Sequence, residues 1–252
     1  MKIAGKVVVL TGASEGIGLA TARLFANLGA RLALAARSAE KLNKLAAELP
    51  DAIALPTDMC DEQAVRQMIA QANDHYGRID VLINNAGQGL HTPIADTDLG
   101  LYRAVFELNV VSVLNAMQAV IPIMRKQPEG GVIVNISSGT TRMTLPGVGP
   151  YASTKHALNA ISLTARQELA LERIRVCLVY PAITATGFHQ HLANLQGQTQ
   201  PGASTGWRPP GGGSGGIQID TPEVVAETIR EAVETEAAEV FAPGLKNRRP
   251  PA

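Results

Sequence analysis

The sequence predicts an α/β fold: a doubly wound parallel β-sheet of about seven strands, flanked by helices on both faces. Three observations predict it. Short β-type runs alternate with longer stretches of helical periodicity along the whole chain. Several of the short runs are apolar throughout, as strands covered on both sides must be. A glycine-rich turn joins the first run to the first helix, the arrangement that opens a βαβ unit.

Residues 7–11 form the first expected strand and lead into the turn from Thr11 to Gly18. Helix 17–28, strand 32–36, helix 39–49, strand 52–55, helix 62–75 and strand 81–84 come next. A long apolar helix is expected over 101–125, then strand 132–136, helix 151–172 and strand 176–179. The last unit is helix 222–236 with strand 239–242. Thr221 is its expected N-cap, with Pro222 at the first helical position. Repeated β-α-β order implies right-handed crossovers. Residues 187–219 break the pattern and are rich in glycine and proline, most densely from Pro209 to Gly216. The single helix and short strand beyond them are too little for a second domain. The expectation is therefore one domain over 1–252, with a flexible substrate loop inserted at about 187–219.

Lysine and arginine together number 22, as do aspartate and glutamate, so the formal charge is zero and no basic surface for nucleic acid or an anionic membrane is expected. Lys246, Arg248 and Arg249 read as a solvated terminus. The two cysteines, Cys60 and Cys177, form neither a disulfide framework nor a CxxC pair, and no metal site is expected. The N-terminal apolar stretch is too short for a signal peptide. No run reaches the roughly 18 uninterrupted apolar residues of a membrane span. A cytoplasmic protein is the expectation.

Thr11-Gly12-Ala13-Ser14-Glu15-Gly16-Ile17-Gly18 places glycines where a backbone must turn sharply and approach a diphosphate at a helix N-terminus. The spacing is GxxxGxG. Gly12, Ser14, Gly16, Ile17 and Gly18 are the candidate contacts. An NAD site usually carries an acid near the end of the second strand. Here residues 30–39 hold no acid, and Arg37 stands there instead. A guanidinium suits a 2′-phosphate, so NADP(H) is preferred over NAD(H). Glu15 opposes that preference with a nearby negative charge. Further on, Tyr151 and Lys155 lie four residues apart and share a helix face. A cation beside a phenol favours the phenolate and brings the phenol toward acid–base chemistry.

With these motifs the chain resembles the short-chain dehydrogenase/reductase family, in its compact single-domain branch, over about residues 5 to 244. Besides the glycine turn, the resemblance rests on Asn84-Asn85-Ala86-Gly87, on Asn109 in the long helix, on Ser138 thirteen residues before Tyr151, and on Pro181 and Thr186. It implies a Rossmann-type fold and a catalytic set of Asn109, Ser138, Tyr151 and Lys155. Tyr151 would be the general acid/base and Lys155 would lower its pKa and hold the nicotinamide ribose. Ser138 would bond the substrate oxygen, and Asn109 would support a water-mediated proton path. Further cofactor contacts implied are Asp58 and Met59 at the adenine, Asn85, Ala86 and Gly87 along the adenosine side, and Pro181, Thr184 and Thr186 at the nicotinamide end. Ala182 departs from the family's usual glycine.

The expected partner is a small carbonyl or alcohol substrate, neutral and partly apolar, since no arginine cluster marks the pocket. Its walls would come from Gln88 to His91, from 139–149 and from the 187–219 loop with Phe188, His189 and Trp207. A homodimer or homotetramer through the long helices is implied. The favoured activity is NADP(H)-dependent carbonyl reduction or its reverse. The alternatives are a 3-oxoacyl-thioester reductase and a non-catalytic NADP(H)-binding regulator.

Overall fold

The computed structural model describes residues 1–182 and 220–246. Within them the chain builds one seven-stranded sheet in the order β3-β2-β1-β4-β5-β6-β7. The strands are β1 (Val7–Thr11), β2 (Arg31–Ala36), β3 (Ala52–Pro56), β4 (Val81–Asn84), β5 (Gly131–Ile136), β6 (Ile174–Tyr180) and β7 (Glu239–Phe241). Every neighbouring pair is parallel. The chain starts in the middle, winds outward to β3, returns to β4 beside β1, and winds outward again to β7. The direction therefore reverses between β1 and β4, which opens a crevice at their carboxyl ends.

Side chains alternate across each strand, so the sheet feeds two cores. Val8 and Leu10 of β1 join one core with Phe25, Leu42 and Ile229; Val7 and Val9 join the other with Met68, Met117 and Leu158. The first core lies under α1 (Gly16–Asn27), α2 (Ala39–Glu48) and α7 (Pro222–Thr235). The second lies under α3 (Glu62–Tyr76), α5 (Ser112–Arg125) and α6 (Gly149–Glu168). The short α4 (Leu99–Phe106) precedes α5, and α8 (Pro243–Lys246) closes the described residues.

The expected Thr221 cap is made, and Asp61 caps α3 as well. Asp61 Oδ1 accepts from the amides of Gln63 and Ala64 at 2.9 and 3.0 Å, and Thr221 Oγ1 accepts from Val224 N at 3.4 Å. The helix expected over 101–125 runs from Leu99 to Arg125 and changes pitch on the way. A π-turn over Glu107–Val111 separates α4 from α5 and places Asn109 at the junction. The run Leu99–Arg125 is apolar and long enough, by length and composition, to cross a membrane. In the fold it buries Val113, Ala116, Met117, Val120 and Met124 in the second core.

Candidate functional site

The glycine turn sits at the crevice between β1 and β4. Gly12 and Gly16 have φ of +67° and +54°, left-handed backbone that L side chains rarely adopt. Gly18 permits a close approach: a Cβ there would lie 2.0 Å from Gly12 O. Glu15 occupies the N-cap position of α1, yet its side chain makes no capping bond to the helix amides. The first-turn N–H groups are thus left to other acceptors, the arrangement that receives phosphate. Ser14 and Ile17 are half-buried in the same turn.

Asn85 locks this turn from the neighbouring strand. Its Nδ2 donates to Thr11 O at 2.9 Å and to Gly12 O at 3.2 Å. Thr11 Oγ1 in return accepts from the amides of Asn85 and Ala86, both at 3.0 Å. The Asn85 amide group is therefore engaged with the loop backbone. Gly87 faces the other half of the crevice, where a Cβ would meet Asn109 Oδ1 at 3.1 Å and Lys155 Nζ at 3.6 Å.

At the outer end, Arg37 is exposed after β2 and Asp58 is exposed after β3. The Met59 side chain turns into the core and is buried. The acidic Glu15 does not stand alone: Lys41 Nζ lies 3.5 Å from its carboxylate. Helical spacing from the Ser38 N-cap carries Lys41 there. The pair offsets the negative charge that the sequence sets against a 2′-phosphate.

The four residues of the expected catalytic set gather at the carboxyl ends of β4 and β5. Tyr151 is hydrogen-bonded to the Ser138 side chain. Ser138 Oγ also accepts from Thr140 N at 3.2 Å and pairs with Thr140 Oγ1 at 3.0 Å. Lys155 is buried, with Nζ donating to Ile136 O at 2.9 Å and lying 6.0 Å from the Tyr151 ring centroid. Asn109 is fully buried. Its Oδ1 accepts from Gln88 N at 2.9 Å, and its Nδ2 donates to Gln88 O at 2.9 Å and to Thr154 Oγ1 at 3.0 Å. Thr154 Oγ1 donates to Tyr151 O at 2.8 Å. Through Thr154, which the sequence did not single out, Asn109 is joined to the turn that carries Tyr151 and Lys155.

The electrostatics differ from the sequence expectation. Burial pushes the Tyr151 phenol up to about 12, with the Ser138 hydrogen bond opposing. Burial pulls the Lys155 ammonium down to about 8. Desolvation disfavours the charged form of each. The expected depression of the phenol by Lys155 is not among the causes that move it, which are burial and the Ser138 bond.

On the substrate side, Thr92 N donates to Gly147 O at 2.8 Å, joining the loop after β4 to the loop before α6. Exposed His91 packs against Gly147, whose φ is +77° and whose added Cβ would sit 2.9 Å from the imidazole. Gly139 N donates to Pro181 O at 2.9 Å, which brings Pro181 beside the Ser138 turn. Thr184, Thr186, Phe188, His189, Trp207, Arg248, Arg249 and the 187–219 loop lie outside the described residues. An open depression of about 450 Å³ along α7, between Val224, Glu231 and Pro243, contains none of these site residues.

A doubly wound sheet with a glycine turn at its switch point and a tyrosine–serine–lysine cluster opposite defines a nucleotide-dependent oxidoreductase class. The comparisons with known proteins agree. The short chain dehydrogenase family profile matches residues 6–196, and the chain belongs to that family. An uncharacterized oxidoreductase of Staphylococcus saprophyticus is 36% identical over 193 residues, covering 75% of this chain and 78% of the relative. A sorbitol dehydrogenase of Cereibacter sphaeroides is 34% identical over 184 residues, covering 73% and 72%. Among solved structures, a short-chain dehydrogenase/reductase of Burkholderia phymatum in complex with NAD has a TM-score of 0.83 at 27% identity, covering 96% of this chain and 90% of that one. A short-chain dehydrogenase of Burkholderia cenocepacia in complex with NADP has a TM-score of 0.78 at 26% identity, covering 96% and 90%.

Proposed function

We propose that this oxidoreductase transfers a hydride between NADP(H) and a small carbonyl or secondary alcohol, with Tyr151 as the general acid/base. The observation that carries the reading is the Tyr151 hydroxyl bonded to Ser138, with the buried Lys155 one helical turn along. The nicotinamide supplies the hydride when bound. The chain's part is orientation and proton supply. Ser138 holds the substrate oxygen, and Tyr151 donates to it as negative charge develops there. Burial that keeps the phenol protonated to about 12 suits this donor role at neutral pH. Asn109 anchors the turn beneath, and Lys155 would hold the nicotinamide ribose. Gly12, Ser14, Gly16, Ile17, Gly18, Asn85, Ala86 and Gly87 frame the dinucleotide, with Asp58 and the Met59 backbone at its adenine end. Pro181, Thr184 and Thr186 are the proposed contacts at the nicotinamide end.

The preference for NADP(H) rests on exposed Arg37 and on the Lys41–Glu15 pair, which offsets the negative charge of Glu15. The test combines two measurements. Fluorescence titration should show NADPH binding at least tenfold tighter than NADH. NADPH oxidation should be driven by benzaldehyde or ethyl acetoacetate and fall at least a hundredfold in Tyr151→Phe. Tighter NADH binding would overturn the cofactor assignment. Full turnover in Tyr151→Phe would overturn the chemistry.

A further inference from the structure

Helix α6 turns a polar stripe toward the end of β5. Tyr151, Lys155, Asn159 and Ser162 recur at helical spacing. Each meets its own partner on the strand. Tyr151 meets Ser138, and Lys155 Nζ donates to Ile136 O at 2.9 Å. Ser137 Oγ donates to Asn159 Oδ1 at 2.6 Å, and Asn135 Nδ2 donates to Ser162 Oγ at 2.8 Å. Asn135 Oδ1 accepts in turn from Asn84 Nδ2 at 2.8 Å, which carries the seam into β4. Apolar ridges can shift against a sheet with gradual loss. A row of paired donors and acceptors cannot, because any slip leaves several buried groups unpaired at once.

Within that row, one pair is placed to control the chemistry without taking part in it. Ser137 directly precedes Ser138 and is buried, while Asn159 is half-buried one turn beyond Lys155. Ser138 itself is held from the loop side by Thr140. Among the bonds that tie this strand end to the helix carrying Tyr151, the Ser137–Asn159 bond is the one made by the side chain next to Ser138 and by neither reacting residue.

We propose that Asn159 is a positioning residue: by accepting the Ser137 hydroxyl proton it fixes the 137–138 strand end against α6 and so aims Ser138 at Tyr151. The proposal rests on the reading of Ser138 and Tyr151 as the reacting pair. A misplacement of about 1 Å in such a pair can cost on the order of a hundredfold in rate. A bond that merely satisfied a buried hydroxyl would cost stability and leave turnover per folded molecule unchanged.

The experiment uses the full chain with NADPH and either benzaldehyde or ethyl acetoacetate, with rates normalised to the folded fraction. Asn159→Leu should lower kcat about tenfold while NADPH binding stays within twofold. Asn159→Asp keeps the accepting Oδ1 and should recover kcat to within about threefold of the unmodified chain. Ser137→Ala should match Asn159→Leu, and the double variant should be no slower than either single one. An Asn159→Leu variant with unchanged kcat, or losses that multiply in the double variant, would overturn the proposal. A crystal structure of Asn159→Leu tests the inference without any turnover: the Ser138 side chain should move away from the Tyr151 hydroxyl, and an undisturbed pair refutes it. If the unmodified chain turns over neither compound, the function reading fails, and the crystal structure still determines whether Asn159 positions Ser138.

Discussion

Replacing Lys155 with methionine should make the protein more stable at neutral pH while abolishing its turnover. The ammonium is buried, and burial draws it down from 10.5 to about 8. Those roughly 2.5 pKa units correspond to about 3 kcal/mol of penalty for keeping the charge inside. Proton counting sets the sign. Below about pH 8 the lysine is charged in both folded and unfolded chains, so the folded chain carries the whole penalty. Between about 8 and 10.5 the folded chain has released a proton that the unfolded chain still holds, so stability rises with pH. Above 10.5 both forms are neutral and the penalty is gone. Methionine keeps the length of the side chain and removes the charge, but loses the bond to Ile136 O, worth roughly 1 kcal/mol. Lys155→Met should therefore gain about 2 kcal/mol at pH 7 and fall about 1 kcal/mol behind by pH 10.5. Urea unfolding of the nucleotide-free chain, monitored by far-ultraviolet circular dichroism at pH 7, 8.5 and 10, measures the difference. Other groups titrate in both proteins and cancel. A variant that is no more stable at pH 7, or a difference that stays flat with pH, would refute the reasoning.

Gly18→Ala puts a Cβ 2.0 Å from Gly12 O, so backbone must retreat by about 1 Å; a loss of 1–3 kcal/mol of stability and at least tenfold weaker NADPH binding are expected. Gly5→Ala, at φ +74° with open space around it, is the control: it should cost about 1 kcal/mol of stability and leave NADPH binding unchanged. Arg37→Ala should weaken NADPH about tenfold in fluorescence titration and leave NADH within twofold, since only the 2′-phosphate contact is removed. Asp80→Ala removes a buried carboxylate that accepts from Val7 N at 2.9 Å and from Arg78 at 2.6 Å. A loss of about 2 kcal/mol in urea unfolding is expected, with normal turnover per folded molecule because Asp80 lies at the opposite end of the sheet.

The sheet is legible in the sequence because its strands are buried on both faces and therefore read as unbroken apolar runs. The edges of the elements are less so. Gly131, Ile174 and Tyr180 extend β5 and β6 because their neighbours continue the ladder, a fact about partners and not about the residues themselves. The π-turn at Glu107–Val111 is hidden for a related reason. One extra residue in a helical turn barely disturbs apolar periodicity, yet it brings the Asn109 side chain to Gln88 and Thr154. At the site, Tyr151 and Lys155 are legible as neighbours on one helix face. The direction of Nζ is not, because it is chosen by a carbonyl nineteen residues away. Lys41 and Glu15 likewise meet only once α1 and α2 start from adjacent strand ends.

The stripe on α6 is present in the sequence as spacing. Asn159 and Ser162 continue the spacing that made Tyr151 and Lys155 conspicuous, and polar residues repeating on one face of a helix that packs on a buried sheet require partners. Those partners had to come from a strand end, and 135–138 of β5 and its turn is the strand end rich in polar side chains. The same polar seam then explains a division of labour in the site. The β1–β4 side is built from backbone, glycine and the Asn85 amide, which suits a ligand recognised by its phosphates. The β5–α6 side is built from paired side chains, which suits groups that must be aimed at one reacting atom. The fold's switch point separates the two, so a dinucleotide lying across it would have its phosphates on the first side and its reactive ring on the second.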